Sequence, residues 1–432
     1  MLNILSNCTY RHLFAAQVIA LIGTGLATVA LGLLAYDLAG DRAGAVLGTA
    51  LAIKMSAYIL VAPIAAAFAD KFPRRTMLVT LDLVRAIVAI ALPFVTQIGE
   101  IYILIFVLQS ASAAFTPTFQ ATIPDILPDE REYTRALSLS RLAYDLESVL
   151  SPMLAAALLT VMNFHNLFAG TAAGFLASAV LVVSVTLPKM KTLTIKRSIY
   201  DKTTRGIRIF LKTPRLRGLL AINMAVAAAS AMVIVNTVVL VQADFGFSQR
   251  STAIALAFFG VGSMVSALAL PKLLDKMHDR MPMLAGTGLL VAGLGLGIFL
   301  RDYFTLIALW TLLGVGYSLS QTPCGRLLRR SSTAEDRPAL FAAQFALSHS
   351  CWLVTYPLAG WAGATLGTQA SFIALAVVAA LSLLIAVLIW RPEHEVYAQA
   401  HSHKDPLTNN IYTHVHDFVI DDEHPSWPKK VK

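Results

Sequence analysis

Ionisable side chains lie inside otherwise apolar stretches, at spacings that suit proton chemistry. In SLSRLAYDLESVLSP, residues 138–152, Arg141 and Asp145 are four residues apart and can pair on one helical face, whereas Glu147 lies on another side. A carboxylate without a partner in a low dielectric holds its proton tightly. Glu147 is therefore the first candidate for proton relay and Asp145 the second, with a structural network as the alternative.

Two further sites are functional candidates because they too are ionisable groups inside apolar stretches. Asp82 and Arg85 are three residues apart on one helical face, which suits either a structural ion pair or a functional one. His349, in AAQFALSHSCWLVTYP, lies about 16 Å along its apolar stretch at 1.5 Å per residue, near a membrane midplane. A histidine at that depth suits proton transfer or metal ligation, and it equally suits hydrogen-bonded packing.

The end of the chain is rich in potential metal ligands. Six of the ten histidines lie in the final 39 residues, interleaved with carboxylates, and two His-x-His pairs place their members on one side of an extended chain. Imidazole and carboxylate suit Ni(II), Co(II), Zn(II) or Cu(II), whereas a soft thiolate site is not expected without cysteine. We expect an unfolded tail that chelates a cation, against the alternative of a solvated tail with incidental histidines. The candidate ligands are His394, His401, His403, His414, His416 and His424.

The composition indicates the environment in which these groups act. The chain has 432 residues, of which 57% are hydrophobic and 14% charged, and no soluble domain is expected from such values. The net charge of +9 is confined to short loops, so it indicates membrane topology and not nucleic-acid binding. The three cysteines are far apart and predict neither a disulfide framework nor a zinc knuckle.

Apolar stretches of about 20 residues predict roughly twelve membrane-spanning helices, and therefore an all-α polytopic fold. The segment from Pro188 to Arg217 carries ten Lys or Arg against one Asp, which predicts a cytoplasmic linker and places both termini in the cytoplasm. We therefore divide the chain into two six-helix bundles, a basic linker and a tail, at residues 1–187, 215–390, 188–214 and 391–432. The predicted spans begin and end near residues 13–36, 44–69, 75–96, 101–123, 135–160, 165–187, 215–243, 251–273, 281–300, 303–325, 338–364 and 368–390.

The two halves carry a related loop after their second spans, AAFADKFPRR and PKLLDKMHDR, which indicates an internal duplication. With twelve spans and a basic central loop, the first of these resembles the Gly-x-Leu-Ala-Asp-Arg-x-Gly-Arg-Arg loop of the major facilitator superfamily. Ala66 and Pro73 replace its two glycines, and Phe68 its leucine. The resemblance implies the major facilitator fold and a gating role for Asp70, Lys71, Arg74 and Arg75, with Asp275, Lys276 and Arg280 in the second half.

The sequence lacks the motifs of nucleotide-driven transport and of enzyme catalysis. It contains no G-x-x-x-x-G-K-[ST] nucleotide loop, no G-x-S-x-G and no H-E-x-x-H, so we expect a secondary transporter that is not an enzyme and needs no cofactor. Drug or siderophore efflux is one alternative, and a membrane-tethered metal sensor or buffer that does not transport is another.

The tail and other segments add a narrower resemblance. HVHDFVIDDEHPSWP, residues 414–428, is similar to the C-terminal signature of bacterial nickel-resistance exporters, and residues 9–40 also resemble that branch. The resemblance implies export of nickel, with cobalt as a second cargo, by proton antiport. It also implies a multi-pass protein of the bacterial inner membrane, and we expect a monomer whose partners are the lipid bilayer, a divalent cation and the proton.

Overall fold

The chain forms a helical membrane protein in the computed structural model, which describes residues 2–39, 43–68, 71–188, 198–395, 398–404, 411–422, 424 and 426–427. Within these residues twelve helices of 18 residues or more occur, close to the twelve predicted spans. The all-α fold prediction is confirmed, with one short two-stranded ribbon added in the tail. The helices are α1 (Cys8–Ala39), α2 (Ala43–Phe68), α3 (Arg74–Ala91), α4 (Ile98–Ile126), α5 (Glu130–Leu159), α6 (His165–Val183), α7 (Ile199–Lys212), α8 (Pro214–Val238), α9 (Gln249–Leu274), α10 (Arg280–Gly297), α11 (Tyr303–Gln321), α12 (Cys324–Arg330), α13 (Arg337–Leu366) and α14 (Thr368–Ile389).

The long helices form because apolar runs satisfy their backbone groups internally, which a bilayer requires. Polar side chains at their ends accept the first free N–H groups. Asp129 accepts from the backbone of Glu132 at the start of α5, and Asp302 accepts from two N–H groups at the start of α11. Gln97 and Glu100 form a reciprocal capping box on α4. Helix ends are therefore set by local sequence.

Within the described residues, nine helices are long and apolar enough to cross a membrane, and Ala52–Phe68 of α2 is a shorter apolar segment. Three ionisable residues that lie well inside long helices, Lys54, Glu147 and His349, belong to α2, α5 and α13.

The helices pack as two six-helix bundles. In the first, α1 packs on α5 and α6, α3 packs on α4 and α6, and α2 packs on α4; in the second, α8 packs on α13 and α14, α11 on α9 and α10. The bundles meet where α2 contacts α13 and where α5 contacts α9. The helices α2, α5 and α13, which carry Lys54, Glu147 and His349, therefore all belong to this interface.

The linker contains a short amphipathic helix, α7, that contacts both bundles through α13 and α2. A Cβ atom on Gly206 would collide with the carbonyl of Ala339, so the close approach of α7 to α13 requires glycine there. Arg205 of α7 forms two hydrogen bonds with the carboxylate of Asp336, immediately before α13, at 2.5 and 2.8 Å. These contacts hold α7 against the second bundle.

The tail differs from the unfolded chelator expected from sequence. Its backbone forms an antiparallel ribbon of β1 (Ala398–Lys404) and β2 (Ile411–Asp417), in which His401 lies opposite His414. Phe418 and Ile420 follow β2 and are buried against the second bundle. Extended segments rich in unpaired backbone groups gain hydrogen bonds by pairing, which the expectation of an unfolded tail neglected.

Candidate functional site

The most unusual polar cluster lies between the bundles, at mid-depth. Lys54 of α2, Glu147 of α5 and His349 of α13 lie about 21, 26 and 18 Å from the ends of their helices that carry the basic loops, at 1.5 Å per residue. That end, where Arg74, Arg280 and Arg337 begin their helices, is called the basic end. The sequence analysis singled out Glu147 and His349 and missed Lys54.

Aromatic rings surround His349. Its imidazole meets the rings of Phe345, Tyr58 and Trp352 at centroid distances of 4.3, 4.7 and 5.1 Å. Its Nδ1 lies 2.7 Å from the carbonyl oxygen of Phe345, which can only accept, so this nitrogen carries the hydrogen. Nε2 of the neutral ring is therefore the nitrogen with a lone pair, and it can accept a proton or ligate a cation.

Lys54 and Glu147 share this space without touching. The Lys54 ammonium lies 5.6 Å from the centroid of the Tyr58 ring and within electrostatic range of both Glu147 and His349. Among the described residues neither Lys54 nor Glu147 forms an ion pair within 4.0 Å.

Arg141 and Asp145 form the ion pair expected from their spacing. Arg141 also reaches the second bundle, where its Nε donates to Ser263 Oγ at 3.2 Å and its guanidinium lies 4.4 Å from the Tyr317 ring centroid. The arginine thus links α5 to α9 and α11. This arrangement suits a positioning role at the interface more than direct proton relay.

Asp82 and Arg85 lie elsewhere, inside the first bundle. The two pair with each other, Ser178 donates to Asp82 at 2.7 Å, and the Arg85 guanidinium lies 4.1 and 4.5 Å from the ring centroids of Phe115 and Phe175. Asp82 is 0% exposed and Arg85 5%. This enclosure favours the structural alternative, and the structure does not bring the pair to the central cluster.

The gating-loop residues of the first half lie at the basic end. Arg74 is buried and pairs with Asp125 at 2.6 Å, and Asp125 also pairs with Arg337 of the second bundle. Lys71 lies over the Phe68 ring at 4.7 Å, and Arg75 donates to a carbonyl oxygen of α6. Asp70 lies outside the described residues. Asp125, which sequence reasoning missed, connects the motif to both bundles.

The equivalent residues of the second half are arranged differently. Arg280 donates to the carbonyl of Trp390 at 2.6 Å, Asp275 lies 3.5 Å from Arg131, and Lys276 is exposed. Asp275 therefore contacts the first bundle, whereas Arg280 braces its own.

A second ion-pair cluster closes the basic end beside this loop. Arg326 and Arg330 of α12 both pair with Glu130 of the first bundle and with Asp279 of their own. Burial raises the pKa of Asp279 to about 7, although Arg326 opposes that shift. Only the fold could show this cluster, because its members come from loops far apart in sequence.

The tail histidines divide into two groups. In the register of the ribbon, His401 lies opposite His414, and His416 lies opposite Gln399. His403 is two residues from His401 and therefore lies on the same face of its strand. The four histidine positions thus share one face of the ribbon. His394 and His424 flank the ribbon. His424 is buried and bonded to Asp421 through Nδ1 at 2.9 Å, and His394 packs edge-on to Trp427 at 6.1 Å. Of the six predicted ligands, the structure therefore describes side-chain contacts for His394 and His424 alone.

The described side chains also limit where a metal ion can bind. Among them no group of three His, Cys, Asp or Glu is close enough to hold one. The side chains of the four ribbon histidines are not among those described. Among the described residues, Glu147 and His349 therefore belong to no group of three such ligands.

Comparisons with known proteins agree with this architecture. The human organic anion transporter MFSD10 (TETRAN) superposes with a TM-score of 0.75 over 88% of this chain and 99% of its own, at 14% identity, which shows the fold alone. The uncharacterised MFS-type transporter YfiS of Bacillus subtilis is 22% identical over 213 residues, and the chain spans about half, 51%, of that relative's length. The sequence model of the Major Facilitator Superfamily matches residues 13–300 and 220–420. The chain therefore belongs to the Major Facilitator Superfamily, and it is a multi-pass membrane protein.

Proposed function

We propose that this transporter exports divalent metal from the bacterial cytoplasm, nickel first and cobalt second, by proton antiport across the inner membrane. The observation that carries the proposal is the register of the ribbon, which puts His401, His403, His414 and His416 on one face. Directly opposed residues have Cβ atoms about 4.5–5.5 Å apart, which suits two imidazoles on one cation.

The orientation of the protein follows from its charge. The basic end faces the cytoplasm in this proposal, because loops rich in Lys and Arg stay inside. The ribbon follows α14 and is joined to that end, since Trp390 donates to Glu395 at 2.6 Å and Arg205 to Asp422 at 2.8 Å. A cytosolic cation would meet the ribbon before it meets the helices.

The transport step belongs to the interface between the bundles. His349 and Glu147 come from different bundles, so a rocking motion changes their separation and their access to each side. Glu147 supplies a carboxylate that exchanges a proton, and His349 a nitrogen that accepts one. The protein works as a monomer of two six-helix bundles, with the division at residues 1–187 and 215–390.

Expression in a nickel-sensitive bacterium tests the cargo. We expect growth in nickel, and less strongly in cobalt, to extend to higher concentrations, with lower metal content in the cells. Protection against drugs without protection against metals would refute the proposal. Protection with raised cellular nickel would indicate a buffer that does not transport.

The ribbon has its own test, with a matched control on its opposite face. Replacing the opposed pair His401 and His414 by alanine should lower the number of Ni(II) ions bound to the purified protein in calorimetry. The control replaces Ser402 and Thr413, which are also directly opposed but lie on the other face. Equal nickel binding by both double variants would contradict a metal site on the histidine face.

A second candidate, efflux of an organic compound such as a drug or a siderophore, is favoured by the lining of the central site. The rings of Tyr58, Phe345 and Trp352 lie together near the Lys54 ammonium, and the buried Trp352 Nε1 has no hydrogen-bond partner among the described residues. Aromatic surface with a few polar groups is typical of small-molecule sites. Drug-tolerance assays run beside the metal assays separate the two candidates.

A further inference from the structure

Lys54 is a charged residue of the central cluster to which the proposed function gives no role. It lies in LAIKMSAYIL near the middle of α2, and no acidic residue of that helix is close enough to pair with it. A lone ammonium group inside a membrane is costly and is therefore a functional candidate. The groups of opposite charge that can offset it must come from other helices.

Glu147 is the carboxylate placed to do so. A Cβ on Gly25 of α1 would lie 2.6 Å from Glu147 Oε1, so the absence of a side chain at Gly25 makes room for this carboxylate. Lys54 and Glu147 lie about 21 and 26 Å from the basic end, on two helices that both pack on α1. The two charges therefore lie at a similar depth on neighbouring sides of α1, without the direct contact that would lock them together.

Lys54 also has a defined aromatic neighbour on its own helix. Its ammonium lies over the Tyr58 ring at 5.6 Å, and Tyr58 is fixed by donating its hydroxyl to Gln109 Oε1 at 3.0 Å. Tyr58 in turn contacts His349 of the second bundle edge-on at 4.7 Å. Lys54 is thus supported by a ring that spans the bundle interface, close to both groups that the proposed function assigns to transport.

We propose that Lys54 is the exchangeable counter-ion of Glu147: its ammonium neutralises the carboxylate in the empty carrier, and a cationic cargo displaces it. The inference rests on the proposed function in taking the cargo to be a cation. A tethered cation keeps the empty site close to neutral, which lowers the cost of moving it through the membrane. It also competes with cargo, so Lys54 sets the cation affinity of the site.

A measurement without cargo tests the counter-ion itself. A hydrophobic carbodiimide adds to protonated carboxyl groups, so its incorporation into the detergent-solubilised protein reports the protonated fraction of Glu147, and Glu147→Gln shows which labelling is specific. Lys54→Gln should raise labelling several-fold at neutral pH, because a nearby positive charge that favours the carboxylate is gone. Lys54→Arg should label like the wild type.

The remaining charged and titratable groups around this space are unchanged in these variants: Arg141, Tyr144 and Asp145 on α5, His349 on α13, and Tyr317 on α11. Lys272→Gln, which removes an exposed lysine at the end of α9, is the matched control. Equal labelling of Lys54→Gln and wild type would overturn the inference, and so would the same rise in Lys272→Gln. Thermal unfolding of each variant confirms that the folded protein is compared.

Transport by the reconstituted protein tests whether Lys54 competes with the cation for Glu147. In proteoliposomes with Ni(II), Lys54→Gln should lower the KM about tenfold, whereas Lys54→Arg leaves it unchanged. In the Glu147→Gln background, which does not transport, Lys54→Gln should leave Ni(II) binding in calorimetry unchanged, since the two residues act on each other. A higher KM in Lys54→Gln would make Lys54 a direct ligand and overturn the inference. If the wild type carries no divalent cation, the proposed function fails, and the labelling still decides whether Lys54 neutralises Glu147.

Discussion

Two groups of intramembrane charges in this transporter look alike in sequence and differ in structure. Asp82 and Arg85 lie within the first bundle, in direct contact, enclosed by Ser178 and two phenylalanine rings. Lys54 and Glu147 lie on two helices at the bundle interface and do not touch, and His349 faces them from the second bundle. The first group finds its partners within one rigid unit, whereas the surroundings of the second depend on how two units are placed.

The difference indicates which charges a moving carrier can use. Breaking a buried, fully bonded pair is expensive, so such a pair belongs to the scaffold. Charges that line the interface between the bundles change their surroundings whenever the bundles rock, and their protonation and ligands can change with them. We therefore expect charges enclosed within one bundle to govern stability and charges at the interface between the bundles to govern transport.

The largest expected effect on transport is that of Glu147→Gln. Removing the titratable group should reduce proton-driven accumulation in proteoliposomes to background, while the free energy of unfolding changes by less than about 1 kcal/mol, because no ion pair is broken. Transport at the wild-type rate would show that another group carries the proton.

Asp82→Asn should show the opposite pattern. It leaves the Arg85 guanidinium buried without its counter-charge, so we expect a loss of about 3–5 kcal/mol in the free energy of unfolding. The measurements are thermal unfolding in detergent and transport per folded molecule, which should be retained. Replacing both residues, Asp82→Leu with Arg85→Met, should recover much of the stability. A well-folded but inactive Asp82→Asn variant would show that this pair takes part in transport.

Asp125→Asn should weaken the closed basic end. Asp125 holds Arg74 of its own bundle and Arg337 of the other, and hydrogen bonds to charged groups contribute about 1.5–3 kcal/mol. Spin labels at the exposed positions Glu132 and Met277 should show a larger population with the bundles apart at this end. Glu100→Gln changes an acidic residue at the other end of α4 and should leave that distance distribution unaltered.

A smaller effect should appear in the pH dependence of stability through Asp279. Its carboxyl has a pKa of about 7 in the folded protein against about 3.9 in an unfolded chain, so the folded state binds the proton more tightly between these values. The stability of the wild type relative to Asp279→Asn should fall as pH rises from about 4 to about 7 and stay level above. Unfolding followed at several pH values checks this, and a relative stability that rises over the same interval would contradict the assignment.

The smallest effect is expected for Asp422→Asn. This residue pairs with Arg205 of α7 at 2.8 Å, and its side chain is 46% exposed. Exposed ion pairs contribute about 0.2–1 kcal/mol, and Arg205 keeps its bonds to Asp336. Hydrogen exchange should show slightly faster exchange in α7, with the bundles unchanged. Altered nickel transport in this variant would show that an ion pair of the tail also takes part in transport.

Sequence reasoning predicted the elements that depend on local pattern. The twelve helices lie close to the predicted spans because apolar length is a direct requirement of the bilayer. The Arg141–Asp145 and Asp82–Arg85 pairs follow from three- and four-residue spacing on a helix. Lys54 was visible by the same rule, as an ionisable residue inside a predicted span, and only its partners on other helices were hidden.

Contacts between distant segments could not be predicted in this way. Glu130, Asp279 and Arg326 meet although they lie in segments far apart along the chain, and no spacing rule connects them. The ribbon in the tail was also missed, because its strands are short and polar and their pairing depends on a return of the chain.

The sequence by itself determined that this chain crosses a membrane many times, that its halves share a loop motif, and which helices carry buried charge. These properties follow from hydropathy and helical period, which act over a few residues. The tertiary structure alone decided that Asp82 is enclosed within one bundle while Glu147 and Lys54 lie on helices at the interface between the bundles. The physical reason is that solvation and the charges nearby set the role of an ionisable group, and both are supplied by helices far away along the chain.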